Sequence, residues 1–89
     1  MSTLPHGIIH LAPGYRLERD EPTQAYMLRH LDHIFPLSST QGAILEHCNG
    51  SLTKGGIIES MQQQLPGIDP QEVLDFLQTA YLNNWIHGQ

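Results

Sequence analysis

The chain has 89 residues, 39% of them apolar, and a formal net charge of -5. This length fits one domain with a single core, and the apolar share excludes an intrinsically disordered chain. Nine acidic side chains face only four cations, which are Arg16, Arg19, Arg29 and Lys54. Nucleic acids and anionic membranes are bound by concentrated basic surfaces, so neither is an expected partner.

No apolar run approaches the roughly 20 residues that a membrane-spanning helix needs. The N-terminus lacks the positive start and the long apolar segment of a secretory signal. Cys48 is the only cysteine, which excludes an internal disulfide and fits a reducing compartment. We therefore expect a cytoplasmic protein.

The first twelve residues contain Pro5 and Gly7 and show no clear period. They are expected to form an irregular N-terminal arm, residues 1–12, with Ile8, Ile9 and Leu11 as apolar anchors. The domain itself is expected to span residues 13–89.

Three short runs follow with the alternation of half-buried strands, at residues 15–19, 25–31 and 33–37. Short polar connections join them, so they are predicted to form an antiparallel meander. Pro36 lies near the end of the third run. Proline cannot donate a ladder hydrogen bond and avoids central strands, so this run is predicted to be an edge strand.

The remaining chain is predicted to form three helices with well-marked starts. Ser38 with Gln41 matches a capping box, Thr53 can cap the second helix, and Asp69 followed by Pro70 is a strong start for the third. Asn49-Gly50 and Pro66-Gly67 are expected to end the first two helices. The apolar stripes comprise Ile44, Leu45 and Cys48, then Ile57, Ile58, Met61 and Leu65, then Val73, Phe76, Leu77 and Ala80.

The predicted fold class is α+β and winged-helix-like, a three-stranded antiparallel sheet followed by three helices in the order β-β-β-α-α-α. Trp85 is expected to pack with Tyr81 and the strands and to hold the third helix in place.

No catalytic residue, cofactor or metal site is predicted. The chain has no nucleophile elbow and no phosphate-binding loop. His47 and Cys48 are adjacent on the predicted first helix, so their side chains point about 100° apart. His30, Asp32 and His33 flank one turn, but no metal-binding motif accompanies them.

Two binding functions remain open. A winged-helix transcription regulator would suit the fold, but the third helix carries Glu72 and Asp75 and no Lys or Arg. A protein-interaction module is the other possibility. In that case the edge strand accepts an extended peptide as a fourth strand, and an apolar slot beside the third helix supplies specificity.

Several linked segments resemble one family over about residues 13–87. These are Gly14-x-Arg16-Leu17, Leu37-Ser38-x-Thr40 leading to Ile44-Leu45, Cys48-Asn49-Gly50-Ser51-x-Thr53, Val73-x-x-Phe76-Leu77 and Asn84-Trp85-Ile86. Their order and spacing are similar to those of the PqqD-like family of precursor-peptide recognition elements.

This resemblance implies a peptide chaperone that is not an enzyme. It would bind the leader of a ribosomally made precursor peptide and present it to a modifying enzyme, often a radical S-adenosylmethionine (SAM) enzyme. The oligomeric state stays open. Carried over by position, the peptide-binding residues would be His33, Ile34, Phe35, Pro36 and Leu37 on the third strand, with Val73, Phe76, Leu77, Ala80 and Tyr81 on the third helix.

Overall fold

The structure, a computed structural model, describes residues 4–88. Within this range the chain forms six strands and three helices. In chain order they are β1 (Ile9–Leu11), β2 (Tyr15–Asp20), β3 (Ala25–His30), β4 (His33–Leu37), α1 (Ser39–Glu46), β5 (Asn49–Leu52), α2 (Lys54–Gln64), α3 (Pro70–Leu82) and β6 (Ile86–Gly88).

The strands form two antiparallel sheets. The hairpin sheet has the order β2-β3-β4, and the terminal sheet has the order β5-β1-β6. The α+β class and the three-stranded meander are therefore confirmed. The meander is sequential, so β4 lies at an edge of its sheet, as Pro36 indicated.

All three helix starts are confirmed. The Ser38 hydroxyl accepts a hydrogen bond from the Gln41 backbone N–H, and the Gln41 side chain accepts one from the Ser38 N–H. The Thr53 side chain accepts from the Gly56 N–H at the start of α2, and the Asp69 side chain accepts from the Gln71 N–H at the start of α3, with Pro70 in the first turn. These side chains satisfy backbone donors that a helix start leaves without partners.

The core lies between the three helices and one face of each sheet. The stripes predicted from the sequence supply most of it, together with Leu28 of β3. Its most deeply buried side chains are Ile9, Leu28, Ile44, Leu45, Ile57, Met61, Leu77, Ile86, Val73 and Cys48. Leu65, which was assigned to the α2 stripe, is exposed instead.

The terminal sheet was not predicted. Residues 9–11 form its central strand, so the prediction of an irregular arm is wrong for this segment. Asn49-Gly50 begins β5 and does not cap α1, which ends at Glu46 with His47 as its C-cap. Gly50 has a φ of +85°, and the register between β1 and β5 shifts beside it. Strands of three or four residues are too short to show a period.

No helix within residues 4–88 is both long and apolar enough to cross a bilayer.

Candidate functional site: a groove beside the edge strand

The register of the β3–β4 hairpin determines which main-chain groups of β4 are free. A two-residue loop joins His30 and His33, which pair with each other. In such hairpins the residues that flank the loop exchange main-chain hydrogen bonds, and the pairs then alternate. His33, Phe35 and Leu37 therefore bond to β3, whereas the main-chain groups of Ile34 and Pro36 point away from the sheet.

Pro36 thus lies opposite Met27 at a position where the ladder needs no N–H. The proline costs the hairpin sheet no hydrogen bond and removes one outward donor from its edge. A proline is therefore tolerated in a strand that leads directly into α1. Ile34 keeps both its outward N–H and its outward C=O, and its side chain is 48% exposed on the outer face.

The inner face of β4 meets an aromatic cluster at the end of α3. The ring of Phe35 lies 5.4 Å from that of Trp85, centroid to centroid, and Trp85 lies 6.4 Å from Phe76. His33 continues the row, 6.2 Å from Phe35. Such separations are within the favourable range for aromatic pairs. The expected packing of Trp85 against the strands is confirmed through Phe35.

The C-terminus of α3 fixes the position of Trp85. Asn84 has a φ of +62°, its N–H donates to the carbonyl of Tyr81, and the Trp85 N–H donates to the carbonyl of Ala80. These two bonds and the left-handed residue form a Schellman motif, which ends the helix sharply. The Trp85 carbonyl then accepts from Ala12, so the tryptophan backbone is held on both sides.

A groove of about 350 Å³ opens between β4 and α3. Aromatic and aliphatic side chains form part of its wall, and polar side chains of α1 and α3 complete it. The lining residues are Pro36, Leu37, Gln41, Asp75, Phe76, Thr79 and Trp85. We call this the edge groove. Three residues expected at the site, Pro36, Leu37 and Phe76, line it.

Four expected site residues of α3 do not line the groove. Val73, Leu77 and Ala80 are fully buried in the core, so a docked peptide cannot touch their side chains without opening the protein. Tyr81 shares a flank of α3 with Leu74 and is absent from the lining. The strongest apolar stripe of an amphipathic helix is its core face, which explains these errors.

Gln41, Asp75, Thr79 and Trp85 were missed as lining residues. Asp75 and Thr79 are four residues apart and flank Phe76, so they share one side of α3. A helical projection would have found them: they lie on the side of the core stripe that turns toward β4.

The polar lining residues are partly committed to local hydrogen bonds. Asp75 Oδ1 accepts from the Gln71 side chain at 2.9 Å. Gln41 Oε1 accepts from the Ser38 N–H at 3.0 Å as part of the cap. Among residues 4–88, Asp75 is the only formally charged residue that lines the edge groove.

Cys48 does not form a reactive site. It is buried, its Sγ donates to the Ile44 carbonyl at 3.5 Å, and burial raises the pKa of the thiol to about 12. The thiolate is the nucleophilic form, so it is scarce at neutral pH. Within residues 4–88 no three His, Cys, Asp or Glu side chains converge as a metal site would require. His30 stacks on Tyr15, with ring centroids 4.1 Å apart.

A second groove, of about 480 Å³, lies at the opposite edge of the hairpin sheet, beside β2. Its lining includes Glu18, Arg19, Tyr26 and Glu46. The Tyr26 hydroxyl donates to Glu46, and this bond, together with burial, raises the pKa of Tyr26. Arg19 lies over the same ring. β2 is also an edge strand, so a free strand edge lies beside both grooves. The edge groove differs by its wall of Phe76 and Trp85.

Comparison with known proteins identifies related sequences and folds. No protein-family model matches the chain. A PqqA binding protein of Methylococcus capsulatus is 31% identical over 88 residues, which span 97% of this chain and 94% of the relative. At this identity and coverage, the two chains share a family.

Two solved structures share the fold. One is the solution NMR structure of the PqqD truncation of PqqCD from Methylobacterium extorquens, a stand-alone recognition element for ribosomally synthesized and post-translationally modified peptides (RiPPs). It has a TM-score of 0.72 and 21% identity, covering 97% of this chain and 96% of its own. The other is the heterocyclase TruD, with a TM-score of 0.71 and 18% identity. The match covers 92% of this chain but 11% of the heterocyclase.

Proposed function

Because this chain belongs to the family of PqqA binding proteins, we propose that it binds the leader of a ribosomally made precursor peptide along β4. The leader adds a fourth strand to the hairpin sheet and places side chains in the edge groove. The protein then presents the bound precursor to a modifying enzyme and itself performs no chemistry.

The observation that carries this proposal is the pairing of a free strand edge with an aromatic groove. β4 is an edge strand, and the edge groove lies directly between it and α3. In strand addition, main-chain bonds supply affinity and pockets for alternate side chains supply specificity. This surface offers both on adjacent elements.

The main-chain contacts of the proposed complex follow from the register. Between His33 and Leu37, the outward groups are the N–H and C=O of Ile34 and the C=O of Pro36. A leader strand therefore forms a hydrogen-bonded pair with Ile34 and loses one bond at Pro36. We expect a binding free energy on the order of -8 kcal/mol, which corresponds to a micromolar dissociation constant.

The family resemblance extends this proposal to the recipient, a radical SAM enzyme that modifies the leader-bearing precursor. The fold also occurs as part of a much larger chain in the heterocyclase TruD, which supports a recognition element working beside a modifying activity. We place this encounter in the cytoplasm, where a precursor is made and a single thiol such as Cys48 stays reduced.

The test uses synthetic PqqA, the ligand that the relative's name gives, and isothermal titration. Proline at Ile34 removes the outward donor and leaves the bonds to β3 intact. Ile34→Pro should lower affinity by about 1–3 kcal/mol, the cost of an unmade hydrogen bond. Ile34→Ala is the matched control, because it removes the same side chain and keeps the N–H. Ile34→Ala should lose clearly less affinity than Ile34→Pro.

NMR titration locates the contact independently. Amide shifts should concentrate from His33 to Leu37 and around Asp75, Phe76 and Thr79. Strand addition at β4 would be excluded if a folded Ile34→Pro variant bound PqqA as tightly as the native protein. It would also be excluded if the amide shifts were confined to α1. Circular dichroism confirms that each variant is folded.

A further inference from the structure

The edge groove has an uneven distribution of polarity, and this bears on which leader it accepts. The inference rests on the proposed function. Trp85 and Phe76 form one part of the wall, with the ring of Phe35 packed against Trp85. Gln41, Asp75 and Thr79 supply polar atoms to the rest. A peptide that fills the groove therefore meets two chemically different surfaces.

The geometry of an added strand sets the spacing between the groups that meet these surfaces. A peptide residue directly opposite Ile34 has its side chain on the outer face, as Ile34 does. The peptide residues opposite Phe35 and Leu37 have theirs on the inner face, toward the edge groove. Side chains alternate along a strand, so these two peptide residues are separated by one residue.

The two positions face different surroundings. Phe35 lies against Trp85, so the peptide residue opposite it meets aromatic surface. Leu37 lines the groove as well, and the N–H of the next residue, Ser38, donates to Gln41 Oε1. The peptide residue opposite Leu37 therefore approaches the polar part of the wall.

The charge of that polar part is negative and has no compensating cation. Asp75 is the only formally charged lining residue, and the one donor to it within residues 4–88 is the neutral side chain of Gln71. The one Lys or Arg salt bridge in the described chain joins Arg29 to Glu18, away from this lining. A carboxylate bonds more strongly to a cationic donor than to a neutral one.

We infer that the edge groove selects leaders in which an apolar side chain and a lysine or arginine are separated by one residue. The apolar side chain packs on Trp85 and Phe76. The cation binds Asp75, with Thr79 beside it. The pattern is apolar-x-cation or cation-x-apolar, depending on the direction in which the peptide strand runs.

The test is selection from a phage library of random twelve-residue peptides on the folded protein. Peptides recovered on the native protein should be enriched in Lys or Arg two positions from a large apolar residue. On Asp75→Lys the enriched charge at that position should become acidic. Glu59→Lys is the matched control, because it makes the same change of charge at an exposed position of α2 outside the lining, and it should keep the basic preference.

A synthesised peptide from the selection supplies the affinity readout. Replacing its Lys or Arg by Gln should weaken binding to the native protein by about twofold to fivefold, the range of a solvent-accessible ion pair. It should leave binding to Asp75→Asn unchanged.

The outcomes separate the inference from the proposed function. Peptides that lose affinity for Ile34→Pro but show no charge preference would overturn the charge-specific inference and leave strand addition standing. Selected peptides that bind Ile34→Pro as well as the native protein would overturn both. A basic preference that Asp75→Lys and Glu59→Lys abolish equally would assign it to the overall negative charge and overturn the role of Asp75.

Discussion

Gly42 of α1 lies against the ring of Tyr26 on β3, and the two residues show how closely helix and sheet approach. A methyl group placed on Gly42 would overlap the near end of that ring, at Cβ, Cγ and Cδ2. These atoms cannot turn aside as the tip of a flexible chain can. The tyrosine is buried, and its hydroxyl binds Glu46 in the last turn of the same helix. Gly42 therefore sets the distance between α1 and β3.

The Gly42→Ala variant should be less stable than the native protein by about 1–3 kcal/mol, the usual cost of overpacking a core. Gly55→Ala is the matched control on α2, where the added methyl finds only Thr53 at an ordinary contact distance. That change should raise stability by about 0.5–1 kcal/mol, because alanine favours the helix. Urea unfolding followed by circular dichroism measures both. A change of the same sign in the two variants would contradict the assigned contact.

At the scale of the element, α3 presents three different sides to the molecule. Val73, Leu77 and Ala80 form the core side. Asp75 and Thr79 turn toward β4 in the edge groove. Leu74 and Gln78 line a further groove beside α2. The Schellman motif at Asn84 then delivers Trp85 to β4, so the helix contributes to the proposed binding site through its flank and through its end.

Asn84 is a sensitive position, because a residue with a β-carbon is strained at positive φ unless it is asparagine or a similar residue. The Asn84→Ala variant should lose about 1 kcal/mol of stability, whereas Asn84→Gly should lose none. Trp85 is the only tryptophan, so its fluorescence reports the same site during urea unfolding. Equal stability of the two variants would show that the helix end does not depend on the left-handed residue.

The elements that could be predicted are those encoded by adjacent residues. Ser38 with Gln41, and Asp69 with Pro70, specify helix starts within four residues, and both starts are confirmed. β1, β5 and β6 depend on pairing between segments distant in sequence, and each has at most four residues, so no local period indicated them. The edge groove was only half predicted, because the apolar pattern identifies the buried side of α3 and not its flank.

At the scale of the whole molecule, β1 connects the beginning of the described chain with its end. It lies between β5 and β6, and Ile9 is completely buried within the shared core. The Leu11 N–H donates to Cys48 and the Ala12 N–H donates to Trp85. The residues around β1 thus support both the end of α1 and the tryptophan of the proposed binding site.

Truncation of Ile9 should therefore have effects beyond β1. Ile9→Ala should lower the free energy of unfolding by about 2–5 kcal/mol, as is usual for a buried isoleucine. A loss of this size is a large part of the total stability of a small domain. Ile8→Ala, next to it and only partly buried, is the matched control and should cost clearly less. Thermal and urea unfolding provide the comparison. Similar stability of the two variants would restore the view of this segment as a loosely attached arm.

Pro36 also bears on how long a bound peptide stays. It leaves three outward main-chain groups between His33 and Leu37, which limits the bonds that hold an added strand. A micromolar complex that forms at a typical rate of about 10⁶ M⁻¹s⁻¹ dissociates about once per second. In the proposed function, this dwell time sets how long a precursor is available to the modifying enzyme. A full ladder at this edge would slow release, so the proline shortens the lifetime of the proposed complex.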